Sequence, residues 1–254
     1  MKLATWNVNS LKVRLPQLLD WLARRQPDVV CLQETKCEDE NFPKSEIEAA
    51  GLQASYCGQR AYNGVAILSR LPPKDIAHGI PGFPDEQKRV LAATVGDVRV
   101  VCVYCPNGES VTSPKYAYKL AWFAGLREWL RQELTRYPKL AVLGDFNVAP
   151  EDRDVYDPKL WQGKVLFSDP ERKALHSLLE LGLKDSFRLF DQPAKSFSWW
   201  DYRMNGFRRN LGLRIDHILL SEPLARAAKS SMIDREMRGL ERPSDHAPVI
   251  TEIA

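Results

Sequence analysis

The chain has 254 residues, enough for one large α/β unit or for two small domains at about 150 residues each, so core size is not limiting. Its 36 Lys and Arg against 33 Asp and Glu give a formal net charge of +3, and 27% charged with 44% hydrophobic residues describes a globular chain rather than a disordered one. No apolar run approaches the roughly 18 to 20 residues that span a bilayer, no secretion-type segment stands at the N-terminus, and the five cysteines are an odd number, so a soluble cytoplasmic protein in a reducing compartment is expected.

Short β-branched runs alternate with amphipathic stretches and no low-complexity linker divides them, which favours a single domain over residues 1–254. Leu3 to Val8 reads as a strand, followed by a helix with Leu15, Leu18, Leu19 and Leu22 on one face and Pro16 placed in its first turn, where a missing N–H costs little. Asp28 to Gln33 is a buried strand, Asn63-Gly64 opens Val65 to Leu68, and Val90 to Val95 pairs with Arg99 to Tyr104 through a Gly96-Asp97 turn. Ser113-Pro114 caps a long helix that stops at Tyr137-Pro138, and Lys139 to Gly144 returns as a strand. Ser168 to Glu171 starts a further helix that ends at Gly182, and Ile215 to Leu220 and Val249 to Ile253 are the closing strands. The repeated Lys-Leu-Ala at residues 2–4 and 139–141, each opening a strand that runs into polar residues, hints at a duplicated β-rich half. Cys102 and Cys105 form a C-x-x-C, but on a strand residues three apart face opposite ways, which argues against a metal or redox pair.

Polar residues cluster immediately after the apolar strands, where side chains leave the core for a rim that can carry function. Asn7 and Asn9 follow the first strand, Glu34 the second, and Asp145 and Asn147 the Lys139–Gly144 strand. Asp216 lies within an apolar strand, where an unpaired carboxylate is expensive to bury, so it needs a partner. Asp245 and His246 sit side by side before Pro248. Each group alone fits an Asx turn, a helix cap or a solvated face as well as it fits chemistry. Together they are almost all oxygen donors, an inventory suited to Mg²⁺, with Mn²⁺ as substitute, rather than zinc. No nucleotide-binding glycine loop and no G-x-S-x-G elbow occurs.

Six motifs then coincide in order: W-N-V-N-S-L at 6–11, L-Q-E-T-K at 32–36, Y-C-P-N-G at 104–108, G-D-F-N-V-A at 144–149, L-R-I-D at 213–216 and S-D-H-A-P at 244–248. On these the chain resembles the exonuclease III and abasic-site endonuclease family over nearly its whole length. The resemblance implies an α/β fold, a four-layer αββα sandwich of two packed mixed β-sheets flanked by helices, and Mg²⁺-dependent DNA repair. It implies Glu34 as principal metal ligand with Asn7 and Asn9 nearby and Asp245 in the outer shell. Asp145 would act on the attacking water, which Asn147 would help orient, and His246, its tautomer fixed by Asp216, would hold a phosphate oxygen. Tyr104 and Asn107 would face the phosphate. Trp199, Leu213 and Ile215 would wall a pocket for a sugar without its base. Where many members have Gly after the second amide of the first motif, this chain has Ser10, taken as a conservative loop change.

The fold also hosts phosphatases, so the substrate must be read elsewhere. Between residues 195 and 214, Lys195, Arg203, Arg208, Arg209 and Arg214 stand against the single acid Asp201, a larger local excess than the +3 of the whole chain, interleaved with Phe197, Trp199, Trp200, Tyr202 and Phe207. Basic groups that track phosphates and aromatics that stack on bases favour DNA over a small phosphoester, with core packing as the plainer account of the aromatics. The expected partner is duplex DNA with abasic sites or blocked or recessed 3′ ends, bound by a monomer that leaves 3′-hydroxyls and contacts no membrane. Trp161 to Ser168, after the G-D-F-N strand, is expected beside the site.

Overall fold

The computed structural model describes all residues 1–254. In chain order the first half holds β1 (Lys2–Asn7), α1 (Leu11–Arg25), β2 (Val29–Gln33), α2 (Lys44–Ala49), β3 (Gln53–Cys57), β4 (Val65–Ser69), β5 (Pro73–His78), β6 (Val90–Val95), β7 (Val98–Tyr104) and α3 (Pro114–Arg136). The second half holds β8 (Leu140–Asp145), α4 (Pro158–Trp161), α5 (Asp169–Leu179), β9 (Lys184–Asp185), β10 (Trp199–Trp200), β11 (Gly212–Leu213), β12 (Asp216–Leu220), α6 (Glu222–Ala227), β13 (Ala228–Ile233) and β14 (Val249–Ile253).

Two six-stranded sheets run in the orders β13-β14-β1-β2-β4-β3 and β5-β6-β7-β8-β12-β9. In each, a central strand has one parallel and one antiparallel neighbour: β1 between β2 and β14, and β8 between β7 and β12. The Lys-Leu-Ala echo thus marks corresponding strands, and β1 and β8 touch across the sandwich.

Three apolar layers hold this together. Leu3, Cys31, Ile67, Val100, Leu143 and Ile218 pack between the sheets. Trp6, Leu18, Trp21 and Leu22 join α1 to the first sheet. Trp122, Phe123, Leu126 and Leu130 of α3 cover the second, beside Leu175 and Leu178 of α5. Burial on both faces explains why β2 and β8 read as continuous apolar runs. Cys102 lies in the inter-sheet layer and Cys105 in the helix layer, and all five cysteines are free.

One local expectation is corrected, and three strands go unread in the sequence. Helix α1 begins at Leu11, so Pro16 sits in its second turn; Pro16 and Lys12, whose carbonyl loses its partner, both face solvent, where water can satisfy the orphan. Strands β3, β5 and β13 carry too little alternation to read. β5 is an exposed edge strand with a register shift between Lys74 and Ala77 and Asp75 at φ 50°, and β13 turns Ser231 inward onto Thr251 instead of an apolar side chain.

Candidate active site

Strand register assembles the site. Tyr104 stands opposite Asp145 on the parallel pair β7–β8, and Asp145 opposite Asp216 on the antiparallel pair β8–β12, so three neighbouring strands present these side chains in one row. In the facing sheet Asn7 and Gln33 are paired at the ends of β1 and β2, and the chain turns at Glu34 in the left-handed region, φ 51°. Because β1 and β8 are in contact, Asn7 and Asp145 meet. A bridge between Trp199 and His246 brings in the 244–248 loop.

Non-glycine residues with positive φ crowd this corner: Asn9 (44°), Ser10 (92°), Glu34 (51°), Asn147 (50°) and Leu166 (76°). Such strain persists only where the surroundings over-determine it, and it concentrates at working sites. Ser10 is therefore no conservative replacement for glycine: its N–H donates to the Glu34 carbonyl at 2.8 Å, and that turn forces a conformation that a side chain disfavours.

His246 Nδ1 lies 2.9 Å from Asp216 Oδ2, the partner that the strand acid required, and Ser198 Oγ donates to the same oxygen at 2.6 Å. His246 Nε2 points at Asp145 Oδ2, 3.7 Å away. Asp145 Oδ1 accepts the Asn147 N–H at 2.9 Å, and Oδ2 accepts Nδ2 of Asn7 at 2.9 Å and of Asn147 at 3.3 Å. Asn107 Nδ2 donates to Asn147 Oδ1 at 3.2 Å. Asp245 is held by Asn9 Nδ2 and Trp199 Nε1, both at 2.9 Å. These groups border a cleft of about 170 Å³ whose apolar walls are Leu166, Trp199 and Ile215.

Burial pushes the Asp145 carboxyl up to about 7; the His246 charge and the Asn7 hydrogen bond oppose the rise, and the Asp216 carboxylate adds to it. Burial alone would lower His246, but the carboxylates of Asp216 and Asp145 outweigh it and push the imidazole up to about 10. At neutral pH it is an imidazolium with both N–H groups directed. Burial, then Glu34 and Asp145, raise the Tyr104 hydroxyl well above its usual value, so it stays a donor.

Ligand atoms of Glu34, Asp145 and His246 all lie within 4.8 Å of one another, and the two carboxylates make a donor set that fits a hard divalent cation. Asn7 stands beside them: its Oδ1 accepts the Asn9 backbone N–H at 3.0 Å, and its Nδ2 donates to Glu34 Oε1 and Asp145 Oδ2, both at 2.9 Å. Asn7 orients the carboxylates. Asp245, engaged by Asn9 and Trp199, stands outside this trio. The Lys36 ammonium, 2.8 Å from Glu34 Oε2 and 2.5 Å from Asn9 Oδ1, already balances part of the negative charge.

The remaining sequence candidates divide. Leu213 is fully buried behind Trp199 and Ile215 and supports the wall from within. Arg214 leaves the basic patch: it is buried against Asp154 at 2.7 Å and Asp185 at 2.8 Å. Phe197 and Trp200 are core residues. Arg203, Arg208 and Arg209 are exposed, with Arg203 on Asp201 at 2.6 Å. Sequence reasoning missed Lys119. Wholly buried on α3, its ammonium donates to the Asn107 carbonyl at 3.1 Å, the Asn147 carbonyl at 2.6 Å and Glu171 Oε1 at 2.6 Å, and Glu171 also accepts the Leu166 N–H at 3.0 Å. One charge thus ties together three loops that face the cleft.

Two sheet ends meeting at a buried acid–imidazole pair, with the carboxylates of Glu34 and Asp145 beside it, define a phosphoester hydrolase class of site. Residues 4–246 match the model of the Endonuclease/Exonuclease/phosphatase family. Exodeoxyribonuclease III of Haemophilus influenzae is 38% identical over 99% of both chains. A 3′ phosphatase, NExo, from Neisseria, solved bound to a product DNA hairpin, superposes with a TM-score of 0.99 at 51% identity, covering 100% of this chain and 99% of that one. An AP endonuclease from Archaeoglobus fulgidus does so at 0.96 and 35%, with the same coverage. The chain belongs to the endonuclease/exonuclease/phosphatase family and is a nuclease.

Proposed function

We propose that this chain is a Mg²⁺-dependent DNA-repair phosphodiesterase, with Mn²⁺ able to replace Mg²⁺, acting as a single-domain cytoplasmic monomer on duplex DNA. It cuts at abasic sites and processes recessed or blocked 3′ ends, leaving 3′-hydroxyls. The relatives named exodeoxyribonuclease III, 3′ phosphatase and AP endonuclease have one reaction in common, water attacking a phosphorus. No helix is long and apolar enough to cross a membrane.

The observation that carries this reading is the geometry at Asp145: a buried carboxyl held by Asn7 and Asn147, with His246 Nε2 at 3.7 Å and Glu34 beside it. A solvated carboxylate near pKa 4 is a weak base at neutral pH, whereas one near 7 is well matched to taking a proton from water. Asn7 and Asn147 fix that carboxylate, so the water it activates is aimed. His246 donates from Nε2 to a phosphoryl oxygen, Asp216 holds its other nitrogen, and Tyr104 and the second N–H of Asn107 supply neutral donors as charge builds. Glu34, with the Asp145 carboxylate beside it, would hold a divalent cation, which when bound would neutralise charge on the phosphoryl and leaving oxygens, while His246, with both nitrogens engaged as donors, stays outside the ligand set. Leu166, Trp199 and Ile215 receive the sugar, and Arg203, Arg208 and Arg209 track the phosphates of the duplex.

End-labelled duplexes carrying an abasic site, a recessed 3′ end or a 3′-phosphate, incubated with EDTA and then with added Mg²⁺ or Mn²⁺, test this directly. All three should be processed only with metal, and Glu34→Gln should raise the metal concentration required. Full activity in excess EDTA would remove the cation from the reaction.

A further inference from the structure

The reaction cleft, at about 170 Å³, has room for a phosphate and a sugar and is lined mainly by polar groups. A 3′-terminal nucleotide leaving as a unit brings a base as well, and an unpaired base seeks an apolar, aromatic surface. A second cavity of about 260 Å³ opens on the other side of Trp199, which is a wall of both. Tyr156, Trp161, Met204 and Leu211 complete its apolar lining, and the Asp201–Arg203 pair stands at its polar side. It is smaller than the roughly 300–1,000 Å³ typical of pockets for drug-sized ligands, which suits a single planar ring system.

The walls are set in place. Trp199 is fastened at Nε1 to Asp245 and through its backbone to His246, so its indole cannot swing to fill the space. Tyr156 and Trp161 meet edge to face, ring centroids 6.4 Å apart. At the rim Met204 is 73% exposed, and it and Asn205 both take left-handed backbone, φ 58° and 53°. A methionine so exposed buries little surface in the fold, and its adaptable thioether is suited to closing over an aromatic face. Arg203 and Asp201, paired at 2.6 Å, offer donors and acceptors for a base edge.

We propose that this cavity is a nucleobase subsite that takes the unpaired base of the 3′-terminal nucleotide while its phosphate lies in the reaction cleft. The inference rests on the DNA 3′-nuclease reading above and adds a substrate preference to it. A paired terminal base stays in the duplex and gains nothing from the cavity. A mismatched or frayed one gains a stacking site, so its nucleotide is removed faster, by about tenfold if one base stack is realised in the transition state. Substrates with no base at that position, a 3′-phosphate or a terminal abasic sugar, are indifferent to the cavity.

The test compares kcat/KM on four duplexes, with a matched 3′ nucleotide, a mismatched one, a terminal abasic sugar and a 3′-phosphate, for wild type, the cavity-filling Leu211→Trp and the wall-removing Met204→Ala. Wild type should favour the mismatch about tenfold over the match. Leu211→Trp should erase that advantage and Met204→Ala should reduce it severalfold, both leaving 3′-phosphate release within twofold. Met204 is a surface side chain, so Met204→Ala decides the matter if Leu211→Trp does not fold. A mismatch advantage that survives undiminished in the folded variants overturns the subsite while leaving the nuclease reading intact. Failure of wild type to release even the 3′-phosphate overturns both.

Discussion

Lys119 is the residue whose loss should be felt most widely for the fewest atoms removed. Lys119→Met keeps the length of the side chain and deletes the ammonium, leaving Glu171 buried without its counter-charge and two carbonyls, of Asn107 and Asn147, without their donor. Breaking a buried ion pair by removing one partner costs about 3–5 kcal/mol, because the remaining charge is stranded. At about 2.1 cal/mol/K per residue, unfolding 254 residues carries close to 0.5 kcal/mol/K of entropy, so the melting temperature should fall by roughly 6–9 °C. The double variant Lys119→Met with Glu171→Gln removes both charges and should recover at least half of that loss in a thermal melt. Its turnover should stay well below wild type, since the Asn107 and Asn147 loops still lack their common tether and misplacement by an ångström can cost about 100-fold. A single variant within 1 kcal/mol of wild type, or a double variant that recovers stability and turnover together, would refute the tether.

Asp216→Asn and His246→Asn should each lower turnover by orders of magnitude, and the double variant should be no worse than the poorer single one, because the pair acts as a unit. Asp216 is what holds His246 up against burial, so in Asp216→Asn the high-pH limb of the pH–rate profile should move to lower pH; an unmoved limb would assign that limb to another group. Ser10→Gly should stabilise by about 1 kcal/mol, the relief of a left-handed serine less the added freedom of the unfolded chain, and a lower melting temperature would show that the Ser10 side chain earns its place. Reversing Arg203, Arg208 and Arg209 together should flatten the salt dependence of duplex binding, and an unchanged slope would move the DNA surface elsewhere. Leu166→Gly relieves φ 76° and widens the cleft, so abasic-site incision should rise relative to 3′-end processing; an unchanged ratio would clear this side chain of choosing the substrate.

The site was legible in the sequence because its parts stand where apolar strands stop. Asn7, Glu34 and Asp145 each mark the point at which a doubly buried strand reaches the rim, and the cost of burying Asp216 alone already demanded a partner, which His246 supplies at 2.9 Å. Less legible was how those residues are turned. Nothing in W-N-V-N says that the Asn9 N–H claims the oxygen of Asn7 and so turns its amide into a donor. Leu213 and Ile215, two apart on extended chain, are both buried in one apolar cluster, yet only Ile215 reaches the cleft.

Charges inside the core were read as surface because spacing along the chain does not reveal a distant partner. Arg214 counts as part of a basic stretch until Asp154 and Asp185, 60 and about 30 residues upstream, fold against it. The same holds for Lys119 on α3, flanked by Tyr118 and Leu120 with no acid nearby; its partner Glu171 reads as a capping-box residue of α5, which it also is. A capping glutamate that also anchors a buried lysine links the start of α5 to the turn of Asn147 and to Leu166. Through that link a helix start, which sequence predicts well, sets the spacing of the cleft, which it does not.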